Sequence, residues 1–159
     1  TFSLHVALPI VMELLESDYL FVYSSLREGF SNPEYDYVRK YFSPEGKAKV
    51  KGILSDLGNN PVATPTSDDH FIKGELYKIN NKDEFSFAIG QLDDYEGVIH
   101  EADEAASYKR ELTTVYKEDG SEVNSWIYWY KGNVEGKPVI ESGDILEYIT
   151  TKTNRSHPQ

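Results

Sequence analysis

The sequence predicts an α+β fold: a mixed, mostly antiparallel curved sheet or small β-barrel with flanking short helices. Three observations point there. Segments patterned as strands outnumber those patterned as helices, five or six against two or three. The two kinds do not alternate regularly, as a doubly wound parallel sheet requires. Two long strand patterns near the C-terminal end are joined by a hairpin signal, Glu118-Asp-Gly-Ser121.

Residues 19–26 begin with the apolar and aromatic run Tyr19-Leu-Phe-Val-Tyr23, the pattern of a strand buried on both faces. The small, turn-forming residues of Ser25-Leu-Arg-Glu-Gly-Phe-Ser-Asn-Pro33 then end it in a loop. Residues 34–42 place Tyr35, Val38, Tyr41 and Phe42 at helical spacing, with Pro33 at the favoured first turn. Residues 47–57 alternate basic and apolar at first, as a strand with one wet face does, and Gly58-Asn-Asn-Pro61 reads as a turn. Another strand is expected over 71–79. A helix is expected from Lys82 to Tyr95, with Phe85, Ala88, Ile89 and Leu92 on one face and Gly97 as its stop. Strands follow over 108–117 and 125–130, and Gly143-Asp-Ile-Leu-Glu-Tyr-Ile149 closes the domain.

Composition narrows the function. The 159 residues suit one hydrophobic core, and 39% hydrophobic residues with 12 tyrosines supply the apolar surface for it. A net charge of −11 repels phosphate backbones and anionic lipid surfaces, so neither nucleic acid nor membrane is expected as a partner. The absence of cysteine removes disulfides, thiolate nucleophiles and thiolate-bound zinc, and suits a cytoplasmic location. The four histidines are far apart and form no ligand-spaced pair, so no metal is expected. No stretch approaches the ~20 apolar residues of a membrane helix. The apolar opening lacks a basic start and a cleavage site. Residues 1–11 are therefore expected to be an expression-derived leader ahead of Met12, the only methionine. Residues 12–150 are expected to form the single domain. Residues 151–159 form a tail whose end, Ser156-His-Pro-Gln159, resembles the start of a streptavidin-binding affinity tag.

Three groups of residues could carry chemistry. In Tyr23-Ser-Ser-Leu-Arg-Glu-Gly29, backbone amides at a strand end can cradle a carboxylate or oxyanion, with Arg27 adding a bidentate contact. The same residues also suit an ordinary strand-to-helix turn. In Leu92-Asp-Asp-Tyr-Glu-Gly97, three carboxylates crowd the negative end of a helix. That end, with Asp93 and Asp94, is expected to push the Glu96 carboxyl upward, toward the range of a general base or acid. A solvated acidic helix end is the alternative. Tyr108, opening a strand, could reach a substrate or Glu96, or be a half-buried tyrosine beside solvated basic neighbours. The aromatic strand Trp126-Ile-Tyr-Trp-Tyr130 suits core packing better than a pocket lining. Neither a nucleophile elbow nor a phosphate-binding glycine loop occurs.

In order, these pieces resemble the γ-glutamylcyclotransferase-like superfamily, in its avirulence-induced-gene-like and γ-glutamylamine cyclotransferase branch. The carrying residues are Phe21-Val-Tyr-Ser-Ser-Leu-Arg-Glu-Gly29, Gly74-Glu-Leu-Tyr77, Leu92-Asp-Asp-Tyr-Glu96, Tyr108-Lys-Arg110, Trp126-Ile-Tyr128 and Gly143-Asp144, which together span about residues 19–149. The resemblance implies a mixed barrel and an enzyme of acyltransferase or lyase type that cyclises a small γ-glutamyl amine or peptide to 5-oxoproline. It implies Glu96 as the catalytic base and acid. It implies Tyr23, Ser24, Ser25, Leu26, Arg27 and Tyr108 as substrate-binding residues, no cofactor, and a monomer or weak homodimer. Ser24 stands where the family loop has glycine, which permits close backbone approach. Two other readings remain: a non-catalytic small-ligand binding module of the same fold, and a protein-interaction domain using the aromatic strands.

Overall fold

The computed structural model describes residues 17–23, 33–58, 61–96, 108–148 and 150. The expected leader, the tail and the loop from Ser24 to Phe30 lie outside these residues. The described chain runs β1 (Tyr19–Val22), α1 (Pro33–Tyr41), β2 (Phe42–Asp56), β3 (Pro61–Pro65) and β4 (Phe71–Ile79), then a 3-10 turn (Lys82–Glu84) leading into α2 (Phe85–Glu96), and finally β5 (Tyr108–Lys117) and β6 (Glu122–Tyr130).

The strands hydrogen-bond in the order β3-β2-β4-β1-β6-β5, and β2 also pairs with β5. That last pairing, Ala48 opposite Lys117 through Val50 opposite Val115, closes five strands into a barrel and leaves β3 on the far half of β2. Among the described strands only β1 and β6 run parallel, with Leu20 opposite Trp126. The expected mixed, mostly antiparallel barrel is thus the fold observed.

Two apolar cores lie on opposite faces of the sheet. Phe21, Tyr23, Val50, Ile72, Leu76, Val115, Ile127 and Trp129 belong to the barrel interior. Leu20, Val22, Tyr77, Ile79 and Tyr128 pack outside it, beneath Val38 of α1 and Ala88, Ile89 and Leu92 of α2. Side chains alternate across a strand, so β1 serves both cores with a continuous apolar run. Its run of buried residues, read from the sequence as burial on both faces, has this cause.

β2 serves both cores by another device. Phe42 belongs to the helix side, whereas Ala48, Val50 and Leu54 belong to the interior. All four are even-numbered. A register shift between Pro44 and Gly46, with Gly46 at φ 122°, inserts one residue and exchanges the faces. A bulge of this kind uses glycine because the left-handed region costs it nothing.

Several boundaries correct the sequence reading. Phe42 is the first residue of β2 rather than the last of the helix, and β2 begins five residues earlier than expected. The bulge between Pro44 and Gly46 lies within this unexpected first part of the strand. Pro61 is not the end of a turn but the start of β3, a strand the pattern did not predict. β6 begins at Glu122 instead of Ser125. The strand 71–79, the α2 face and the hairpin with Gly120 at φ 88° are as expected.

The closing segment plugs the interior. Ile140 and Ile145 join its core, and the Gly143 carbonyl accepts from the Lys73 amide at 2.7 Å. A helical turn begins at Ile145, capped by Asp144, whose Oδ1 accepts from the Leu146 and Glu147 amides.

Candidate active site

Glu96 is the last helical residue of α2, so its backbone position follows from what fixes that helix end. Three residues earlier lies Asp93, 1% exposed. Its carboxylate takes two hydrogen bonds from Arg110, Nε to Oδ1 at 2.8 Å and Nη2 to Oδ2 at 3.0 Å. It takes a third from the Tyr128 hydroxyl at 2.8 Å. Arg110 and Tyr128 stand directly opposite each other on β5 and β6, so both reach the same helix turn. The Arg110 guanidinium also lies 4.3 Å from the Trp126 ring.

Burying a carboxylate is costly unless a cation and hydrogen bonds replace its water. Here a planar guanidinium meets it fork to fork, the strongest ordinary geometry for such a pair. The end of α2 is thereby clamped to two barrel strands. Asp93 is not a free negative neighbour of Glu96, as the sequence reading supposed: Arg110 matches its charge. Nor is Arg110 a solvated base, since its side chain is only 17% exposed.

The clamp extends to β1. Tyr23, buried in the barrel interior, donates its hydroxyl proton to the carbonyl of Tyr128. Residues 23, 128, 93 and 110 thus form one connected series of polar contacts. It runs from β1, the strand that precedes residues 24–26, to the helix that ends in Glu96. Of the expected site residues, Tyr23 is placed within this series. Tyr108 is half-buried against the helix-side core and meets Tyr130 edge-on, ring centroids 5.7 Å apart. Ser24, Ser25, Leu26 and Arg27 lie outside the described residues, as does the side chain of Glu96.

Sequence reasoning did not single out Asp93 and Arg110 as a pair. A signal was present. Ile89 and Asp93 are four residues apart, so an acid stands on the apolar stripe of α2 and requires a cation from a facing element. Among the described residues, no group of three or more His, Cys, Asp or Glu could hold a metal ion, and no helix is long and apolar enough to cross a membrane.

Comparison with known proteins agrees with this architecture. The family model "Gamma-glutamyl cyclotransferase, AIG2-like" matches residues 20–147. A Methanocaldococcus jannaschii protein named "Putative gamma-glutamylcyclotransferase" is 28% identical over 131 residues, covering 82% of this chain and 98% of its own. Among solved structures, ytfP from Escherichia coli superposes with a TM-score of 0.53 at 27% identity, covering 82% of this chain and 98% of that one. YkqA from Bacillus subtilis gives a TM-score of 0.64 at 22% identity. That match covers 87% of this chain and 43% of that one, and it speaks for the fold alone.

Proposed function

Because the chain belongs to the gamma-glutamyl cyclotransferase, AIG2-like family, we propose that it cyclises a γ-glutamyl amine or peptide to 5-oxoproline with release of the amine. In this reading Glu96 takes a proton from the substrate's α-amino group. The freed nitrogen attacks the γ-carbonyl carbon, forming the ring C–N bond. The bond from that carbon to the leaving amine breaks, and Glu96 returns the proton to the departing nitrogen. Atoms balance without water or a cofactor. Nucleophile and electrophile share one molecule, so holding it folded supplies much of the acceleration. Tyr23, Ser24, Ser25, Leu26 and Arg27 would hold the γ-glutamyl group, and Tyr108 would contribute a hydrogen bond. A cytoplasmic location and a monomeric or weakly dimeric state belong to the same proposal.

The observation that supports this reading best is the buried series Tyr23–Tyr128–Asp93–Arg110. It ties the entrance of the proposed binding loop to the helix turn before Glu96, so a general base there would be held by rigid elements. A catalytic carboxylate needs such positioning to gain its usual effect of ~10²–10⁴-fold.

The test is 5-oxoproline release from a panel of γ-glutamyl amines and dipeptides. Wild type is expected to release it, and Glu96→Gln, with unchanged thermal unfolding, to lose at least about 100-fold. Equal release by both proteins would remove Glu96 from the mechanism. Ser24, in the place of the family glycine, favours a second reading as a binding module without turnover. Binding of γ-glutamyl compounds without release, with turnover appearing in Ser24→Gly, would establish it.

A further inference from the structure

β6 carries the aromatic run Trp126-Ile-Tyr-Trp-Tyr130, and packing accounts for four of its five residues. Ile127 and Trp129 belong to the barrel interior, and Trp126 and Tyr128 to the helix side. Tyr130 belongs to neither core and is partly exposed. Among the described residues its ring meets one other aromatic ring, that of Tyr108, directly opposite on β5.

Register fixes where this pair lies. Residues two apart on a strand share a face. Tyr130 therefore follows Tyr128, and Tyr108 precedes Arg110, on the face that holds Asp93. Trp126 marks the opposite direction: its indole N–H donates to the Ser17 carbonyl at 3.2 Å. The turn that opens α2 lies at that same end, since Lys82 Nζ is 3.3 Å from Asp18 Oδ2. Going from Trp126 through Tyr128 to Tyr130 thus follows α2 from its start to its finish. The backbone of Glu96 lies about 4.5 Å along the helix axis beyond Asp93. Tyr130 lies about 6.7 Å along the strand beyond Tyr128. The Tyr108–Tyr130 pair is therefore the next layer beneath α2, level with its last turn.

Gly132 decides where the Tyr130 ring can rest. It is exposed and its φ is not positive, so neither core packing nor backbone conformation calls for glycine there. A methyl group on it would nevertheless overlap the Tyr130 hydroxyl oxygen, Cζ and Cε2. These are the outer atoms of a side chain that turns about two bonds, so the ring would move and the backbone would not. A moved Tyr130 ring takes with it the edge-on contact that orients Tyr108.

We propose that Tyr130, seated on Gly132, is a positioning residue that holds the Tyr108 ring at the Glu96 end of α2. The inference rests on the cyclisation reading above, in which Tyr108 contributes a hydrogen bond. Tyr130 acts through its ring, and Gly132 acts through the space it leaves for that ring.

The test centres on Gly132→Ala in the full chain, which leaves both tyrosines chemically intact. With ring-labelled tyrosine, this variant is expected to shift the Tyr108 ring signals, assigned by their loss in Tyr108→Phe. Its kcat/KM for 5-oxoproline release should fall at least about tenfold, as small misplacements at a site do. Its unfolding midpoint should not fall. In a Tyr108→Phe background Gly132→Ala should have no further effect, because the hydroxyl to be positioned is gone. Tyr130→Leu should lose as much as Gly132→Ala, and Tyr130→Phe, which keeps the ring, should recover that loss. Unmoved Tyr108 signals, an undiminished kcat/KM in Gly132→Ala, or an equal loss in the Tyr108→Phe background would overturn the inference. If wild type binds γ-glutamylalanine without releasing 5-oxoproline, the reaction reading fails by itself and the same pattern is expected in affinity. If it neither binds nor turns over a γ-glutamyl compound, the ring signals alone decide whether Tyr130 holds Tyr108.

Discussion

The covered and uncovered parts of the barrel's outer face handle charge in opposite ways. Beneath the helices a single carboxylate, Asp93, is surrounded by an arginine and a tyrosine that satisfy both of its oxygens. On the open face two lysines oppose each other across a strand pair. The difference follows from solvent. Where water is excluded an unpaired charge costs several kcal/mol, so the fold must supply a partner. Where water screens, clustering like charges costs little, so such clusters can persist for reasons other than folding.

The comparison can be broken most sharply at Arg110. Arg110→Met leaves the Asp93 carboxylate buried without its cation and is expected to cost about 3–5 kcal/mol in urea unfolding. The double variant Asp93→Asn/Arg110→Met should recover a good part of that loss. A single-variant loss under about 1 kcal/mol would place the pair with solvated surface bridges instead.

On the open face the sign should reverse. Lys49→Gln removes the like-charge opposition to Lys73 and is expected to raise stability by about 0.2–1 kcal/mol. A decrease measured in the same unfolding experiment would mean that the Lys49–Phe71 contact outweighs the repulsion.

A third effect, confined to alkaline pH, concerns the seam between the two helices. Burial, then the neighbouring Tyr41, pushes the Tyr37 phenol up from 10.0 to about 12. Its contribution to stability is therefore complete below pH 10 and is lost as pH rises through about 12. An alkaline absorbance titration, wild type minus Tyr37→Phe, should show one phenol ionising near 12 in the folded protein. A difference centred near 10 would show Tyr37 to be solvated.

Much of the fold was legible from local pattern. The run Tyr19-Leu-Phe-Val-Tyr23 announced a strand buried on both faces, and residues 71–79 and 108–117 were bounded as observed. β3 was missed because Pro61 and Pro65 enclose only three other residues and carry no alternation long enough to read. The start of β2 was missed because a bulge inverts the alternation that defines a strand. At the site, the motif around Glu96 was visible, yet Asp93 and Arg110 were read as neighbours of solvent. Each has an unremarkable local context, and their partnership spans 17 positions of chain.

The amino-acid order by itself determined most of the strand and helix segments, the excess of acidic charge and the motif series that marks the family, because these depend on short-range pattern. Tertiary structure alone decided that β2 pairs with β5 to close the barrel, that Asp93 meets Arg110 and Tyr128, and that four lysines from three strands line one groove. Those facts depend on register and closure. A shift of one residue turns every side chain to the other face, and no local pattern records which strand will become the neighbour.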